Sequence, residues 1–291
     1  MDFEKLLKVR ERNHSVGWAV ADFLNQTPRA ITCELMDSVL SRPCPEDLEE
    51  AVYRGLLSGF LGLEADDPYM VSGVSRLEPS AFARDPYYNN IVIPDVSFGA
   101  WRLGHQTYEP YEAFLRDDLI LDGEGREIPA IGYFAGRFSY PSVFQDGREW
   151  MSIKPSEIAS SAAAVAAAHG RVVTFGLGLG YFVYMALLKP SVEHVTVVEL
   201  DGSVIELFEK YILPQFPRLQ DVEIVQSDAF DYLDAGLDAD FVFMDIWHDI
   251  ADGASLYVRA RQYESRYPSV EFSYWAERSL RCAVADSLFL S

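Results

Sequence analysis

A chain of 291 residues that is 49% hydrophobic and 13% aromatic carries enough apolar side chains for two modest cores. Its formal net charge of −21 repels phosphate backbones and anionic lipid surfaces, which argues against nucleic acid or membrane as a partner. Cys33, Cys44 and Cys282 are too scattered for a disulfide framework or a zinc site, no long apolar run is present, and the charged first dozen residues do not read as a signal peptide, so a cytoplasmic location is expected.

From the N-terminus, apolar residues at helical spacing, beginning with Phe3, Leu6, Leu7 and Val9, predict a first helix. A second is predicted over 47–63, with Leu48, Val52, Leu56, Leu57 and Phe60 on one side and Pro45-Glu46-Asp47 at its start, where proline and acids are favoured. Residues 66–90 read as loop because they contain Asp66-Asp-Pro68, Glu78-Pro79 and Asp85-Pro86. Tyr87 and Tyr88 there are either anchors that pin the loop to a core or the aromatic lining of a small-molecule site. Strand patterns follow at 91–93, 119–128, 131–134 and 143–151, with hairpin turns at Asp122-Gly-Glu-Gly125 and Asp146-Gly147. A helical and β-hairpin domain is therefore expected over 1–150. Lys154-Pro-Ser-Glu157 opens an alanine-rich helix, stopped by Gly170, at the start of a second domain over 151–291.

The stretch Arg171-Val-Val-Thr-Phe-Gly-Leu-Gly-Leu-Gly-Tyr-Phe182 is the most specific feature of the chain. A β-branched strand runs into glycines at 176, 178 and 180, and an apolar helix follows. Glycines suit a sharp strand-to-helix turn whose backbone must come close to a ligand. The spacing is G-x-G-x-G, whereas the dinucleotide fingerprint is G-x-G-x-x-G, which tilts the reading away from NAD. Residues 195–200 predict a second buried strand ending in Glu199, nineteen residues beyond Gly180, where a ribose-binding acid is expected. A third strand over 222–226 runs into Ser227-Asp228-Ala229, and a fourth over 240–244 ends in Asp245.

With Phe-Gly-Leu-Gly-Leu-Gly at 175–180, Val-Val-Glu-Leu-Asp at 197–201, Ser-Asp-Ala at 227–229 and Phe-Met-Asp at 243–245, the chain resembles the class I S-adenosylmethionine-dependent methyltransferases, whose relatives include the spermidine synthases. The resemblance covers about 155–250. It implies a Rossmann-like, doubly wound, mostly parallel α/β sheet with S-adenosylmethionine as cofactor. Gly176, Gly178 and Gly180 would border the methionine part, Glu199 would bind both ribose hydroxyls, Asp228 would reach the adenine amino group, and Asp245 would face the reactive end. The Asn/Asp-Pro-Pro-Tyr sequence of the family's nucleic-acid amino-methylases is replaced here by Asp245-Ile-Trp-His-Asp249. The upstream hairpins are similar in layout to the amino-terminal domain of the spermidine synthases.

Beyond Asp245, helices are predicted over 255–266 and 273–280 and a last strand over 283–290, which leaves the sheet shortened at its C-terminal end. The preceding β segment or a second subunit would complete it, so a homodimer is a candidate assembly. Asp245, His248 and Asp249 cluster where open α/β sheets bind ligands. Histidine is the side-chain type suited to proton transfer near neutral pH, and His248 is either a general base or a local helix cap. Trp247 either stacks on a ligand or packs in its loop. No third acid from a later strand accompanies these residues, so no metal is expected. Tyr181 and Tyr184 either shape the pocket or fill the core, and Glu157 either reaches the site or serves the helix dipole. Three functions follow: methyl transfer to a small molecule or protein side chain, aminopropyl transfer of the spermidine synthase kind, and a non-catalytic cofactor-binding scaffold.

Overall fold

The periodic apolar residues at the N-terminus form α1 (Phe3–Gln26) in the computed structural model, which describes residues 3–290. Helix α2 (Cys33–Val39) is capped by Thr32, whose hydroxyl accepts from the Leu35 amide, and α3 (Glu46–Leu61) stops at Gly62 in the left-handed conformation. The buried face of α3 is Glu49, Tyr53, Leu57, Ser58 and Leu61, whereas Leu48 and Phe60 are 48% and 50% exposed. The expected apolar face is thus turned by about one residue. Two contacts explain the turn: Glu49 pairs with Arg42 and Arg76, and Tyr53 stacks on Tyr133 with ring centroids 3.6 Å apart.

Residues 66–90 are not loop. They form α4 (Pro68–Gly73), β1 (Val74–Leu77), α5 (Pro79–Phe82) and α6 (Pro86–Asn90). Both Asp-Pro pairs are helix starts: Asp67 and Asp85 cap backbone amides, and the following prolines sit in the first turn, where a missing N–H costs nothing. Residues 91–93 form no strand; β2 (Val96–Phe98) and β3 (Trp101–Tyr108) come next, then β4 (Phe114–Leu115) and the short pair β5 (Ile120–Leu121) and β6 (Glu127–Ile128). Strand β7 (Ile131–Phe134) lies between β1 and β4 in a three-stranded sheet. The hairpin of β8 (Phe138–Gln145) and β9 (Arg148–Ser152) turns at Asp146 and Gly147, with φ of 51° and 80°, as a tight primed turn requires. Together β2, β3, β8 and β9 make a four-stranded sheet.

The division of the chain is discontinuous, in contrast to a single cut at 150. One unit is the chain up to Ala81 with Thr107–Ser139, built on Val16, Val20, Tyr53, Leu57, Met70 and Tyr133; the other is Phe82–Gln106 with everything from Tyr140 onward. The hairpin sheet belongs mainly to the second unit.

That second unit continues with α7 (Pro155–Ala167), β10 (Gly170–Phe175), α8 (Tyr181–Leu187), β11 (Val192–Glu199) and α9 (Gly202–Leu207), which runs into a π-helical turn at Phe208–Ile212. Then come β12 (Val222–Gln226), α10 (Ala229–Ala235), β13 (Phe241–Met244), α11 (Ile250–Glu264), β14 (Glu271–Tyr274) and α12 (Glu277–Leu290). The five strands are all parallel in the order β12-β11-β10-β13-β14. Side-chain alternation sorts the two faces. Val172, Val195, Val197, Phe241 and Phe243 pack with α7, α8 and α9, while Val173, Phe175, Val198, Val242 and Met244 pack with α10, α11 and α12. This is a doubly wound sheet whose order reverses beside β10, the place where such sheets bind ligands.

The C-terminal end differs from expectation. A fifth parallel strand, β14, pairs with β13 from Phe241↔Glu271 to Met244↔Tyr274, and residues 283–290 belong to α12 and form no strand. Leu280 and Val284, four residues apart, turn one helical face to the core, which is a helix period and not a strand period. The sheet stays short of the full class I complement, with five strands among the described residues.

Candidate cofactor site

The carboxyl ends of β10, β11 and β13 and the start of α10 border a cavity of about 700 Å³ in the second unit. Gly176, Gly178, Glu199, Asp228, Asp245 and His248 all line it. Gly180 does not; it lines a neighbouring recess of about 30 Å³, which also touches Gly176, Glu157 and Asp245.

The glycine loop is shaped by close approach. Gly176 and Gly178 have φ of 92° and 50°; a Cβ at 176 would collide with the Asp245 carbonyl, and one at 178 with the Met151 thioether. The loop is also pinned from outside by the Tyr87 hydroxyl, which donates to the Leu179 carbonyl at 2.6 Å, while Tyr88 donates to the Ile153 carbonyl just before α7. Of the two readings of these tyrosines, anchoring is the one the contacts display. Replacing Tyr87 with phenylalanine leaves a buried carbonyl without its donor and is expected to destabilise the unit by about 1–3 kcal/mol, measurable as a lower denaturant midpoint. Tyr181 donates to Asp85 at 2.8 Å and Tyr184 is buried, so both are structural.

Glu199 ends β11 with both carboxylate oxygens engaged by backbone: Oε2 accepts from the Leu177 amide at 3.0 Å and Oε1 from the Asp201 amide at 2.9 Å. Each oxygen keeps a second lone pair for a ligand hydroxyl. Asp228 caps α10 through Oδ1, which accepts from Phe230 and Asp231 at 2.8 and 3.1 Å, so the helix alone accounts for its presence while its side chain borders the cavity.

Asp245 is positioned by its amide, which donates to the Phe175 carbonyl at 2.9 Å. Burial, with Glu157 and Glu199 nearby, raises its carboxyl pKa well above the usual range. Glu157, in the first turn of α7, is pushed up to about 7 by burial; Glu149 adds to the rise, while Lys154 and the Trp275 indole oppose it. That indole Nε1 lies close enough to favour the charged carboxylate yet makes no well-formed hydrogen bond. Asp249, next to His248 in sequence, is committed to the capping box of α11 with Asp252. Among the described residues no cluster of three or more His, Cys, Asp or Glu is placed to hold a metal ion.

His248 is exposed, and its ring stacks on Trp150 with centroids 5.4 Å apart. Trp150 meets Trp101 edge-on at 5.9 Å, so the hairpin sheet contributes an aromatic wall to the cavity. Sequence reasoning missed this wall. Trp150-Met151, within the last hairpin strand and just before α7, was the signal available. Trp247 is buried and stacks on Tyr274 at 6.5 Å, which is the packing role. The lining is acidic: Glu149, Glu157, Glu199, Asp228 and Asp245 face Lys154, the only lysine or arginine in it among the described residues, and Lys154 pairs with Glu149 at 3.3 Å.

Sheet order, glycine loop and terminal acids together decide the fold. The second unit has a Rossmann-like α/β fold. No protein-family model matches the sequence, and no curated protein matches it. Among solved structures, it is similar to a spermidine synthase from Thermotoga maritima, with 19% identity and a TM-score of 0.34 over 47% of this chain and 52% of that one. It is also similar to the C-terminal domain of a precorrin-6Y C5,15-methyltransferase from Rhodobacter capsulatus, with 22% identity and a TM-score of 0.30 over 38% of this chain and 56% of that one. A putative O-methyltransferase from Klebsiella pneumoniae aligns with 16% identity and a TM-score of 0.29 over 37% of this chain and 48% of that one. The chain thus spans about half the length of each structure. No helix among the described residues is long and apolar enough to cross a membrane.

Proposed function

We propose that the second unit binds S-adenosylmethionine and that the chain transfers its methyl group to a small molecule or a protein side chain. The observation that carries this reading is Glu199: a carboxylate at the end of the second strand, fixed by the amides of Leu177 and Asp201, bordering the same cavity as Asp228 and a glycine loop that leaves no room for a Cβ. The cavity volume, about 700 Å³, suits a nucleoside-sized ligand. When bound, the cofactor supplies an electrophilic methyl on a sulfonium, so what the chain must provide is alignment. Gly176 and Gly178 let the backbone approach the ligand, Glu199 fixes the ribose, and Asp228 presents an acceptor to the adenine amino group. Asp245 and His248 are the groups proposed to serve the acceptor, and Trp101 and Trp150 shield one side of it from water. Removing a general base lowers a rate by about 10²–10⁴-fold, so His248→Ala is expected to slow transfer by about a hundredfold with little change in cofactor affinity.

The acidic lining favours a second reading. A cavity with Glu149, Glu157 and Asp245, and with its one lysine already paired, suits a cofactor without a carboxylate and a cationic acceptor, as in aminopropyl transfer from decarboxylated S-adenosylmethionine. One experiment separates the two. The protein is incubated with methyl-labelled S-adenosylmethionine and an acceptor panel of amines, carboxylic acids, phenols and proteins, and in parallel with decarboxylated S-adenosylmethionine and 1,4-diaminobutane. Methyl-labelled product in the first set, absent with Glu199→Ala, supports methyl transfer. An aminopropylated diamine in the second, with no labelled product in the first, replaces it.

A further inference from the structure

Lys154 is the only lysine or arginine among the described residues that border the cavity, whereas carboxylates border it on several elements. Its backbone is fixed at the start of α7, where its carbonyl accepts from the Glu157 and Ile158 amides, and its side chain is 30% exposed. Its partner Glu149 is anchored separately. The Ser152 hydroxyl donates to Glu149 Oε1 at 3.1 Å and the Ser142 hydroxyl to Oε2 at 3.4 Å, and both serines are buried. Lys154 Nζ lies 3.3 Å from Glu149 Oε1, a loose contact. A tight charge-assisted bond is about 2.7–2.9 Å long. An ammonium has three N–H donors, so this contact leaves others for a ligand.

We propose that Lys154 holds the carboxylate of the donor's methionine part and so selects S-adenosylmethionine over its decarboxylated form. This rests on the reading that the cavity binds S-adenosylmethionine. That ligand brings a sulfonium, an α-ammonium and one carboxylate. The acidic lining can meet the two cations at several places, but it offers a carboxylate an opposite fixed charge only at Lys154. Glu149 then competes with the ligand for the ammonium. Because Ser142 and Ser152 hold Glu149 on their own, Lys154 can turn to the ligand without stripping Glu149 of its hydrogen bonds. Were Lys154 committed to Glu149 alone, the decarboxylated donor would be the better fit. The two readings of the cavity therefore divide at this residue.

The test is calorimetric titration with S-adenosylmethionine and decarboxylated S-adenosylmethionine on wild type, Lys154→Met and Glu149→Gln, with a thermal melt on each protein. The two ligands share the adenosine, the sulfonium and the amine, so the ratio of their dissociation constants isolates the carboxylate. Lys154→Met is expected to shift that ratio against S-adenosylmethionine by about tenfold or more, as the loss of a hydrogen-bonded charge pair implies, while the decarboxylated ligand binds at least as well as before. Glu149→Gln removes the competitor and is expected to shift the ratio the other way, by about threefold. An ion pair that only holds the wall together would be broken by either substitution, and the two variants would then move in the same direction. An unchanged ratio in folded Lys154→Met overturns the proposal. So does a Glu149→Gln ratio that stays put or moves against S-adenosylmethionine, and this second result decides alone if Lys154→Met does not fold. If both ligands bind and the ratio ignores Lys154, only the role of Lys154 is wrong; if neither binds, the cofactor reading fails and the role of Lys154 falls with it.

Discussion

Glu199→Ala is expected to weaken S-adenosylmethionine binding by at least about a hundredfold. Two hydrogen bonds from ribose hydroxyls to a carboxylate contribute about 1.5–3 kcal/mol each, and every 1.4 kcal/mol is a factor of ten. The truncation also frees the Leu177 and Asp201 amides, which hold the glycine loop and the start of α9 in place. Glu199→Gln separates the two effects. It keeps the size of the side chain and one carbonyl acceptor, so it should retain the fold and show an intermediate loss. Far-ultraviolet circular dichroism and a thermal melt on both variants would confirm that the loss lies in binding. Unchanged affinity in a folded Glu199→Ala protein would remove Glu199 from the site.

Gly176→Ala is the second large effect, and it acts on stability. The new Cβ meets the Asp245 carbonyl at a backbone φ of 92°, so the loop must move or strain, and the obstacle is backbone rather than a side chain that can swing aside. A cost of about 3 kcal/mol or more is expected. Gly59→Ala supplies the contrast. That residue lies inside α3 with nothing within 4 Å of a new Cβ, and alanine is favoured there by about 0.5–1 kcal/mol. Urea denaturation of the two variants should therefore give shifts of opposite sign. A neutral Gly176→Ala would mean that the loop is not the tight turn described.

The half of the chain that builds the parallel sheet and its cavity was legible because its signals are local. Residues 171–175 and 195–199 are continuous apolar runs, as strands covered on both faces must be, and the glycines follow directly. Gly176, Gly178, Glu199, Asp228 and Asp245 lie together around one cavity, whereas Gly180 fell outside it, its place set by the packing of Phe208 behind the loop. Elsewhere local signals misled. The Asp-Pro pairs at 67–68 and 85–86 carry the same composition whether they end an element or start one, and only the capping bonds decide. Residues 271–274 form a strand because β13 offers an open edge, which no pattern in four residues reveals. The aromatic wall was invisible because it joins residues far apart in the chain, Trp150 and His248, and the raised carboxyl of Glu157 because it comes mainly from burial that only the folded chain supplies. A first-turn acid has a local explanation, and nothing near it in the sequence points past that explanation.

The measurement that bears most directly on the cofactor site is calorimetric titration of the purified wild-type protein with S-adenosylmethionine, decarboxylated S-adenosylmethionine and NAD. Saturable one-to-one binding of S-adenosylmethionine in the micromolar range, with no heat from NAD, is the expected result. No binding of either adenosyl compound, or binding of NAD in their place, would contradict it.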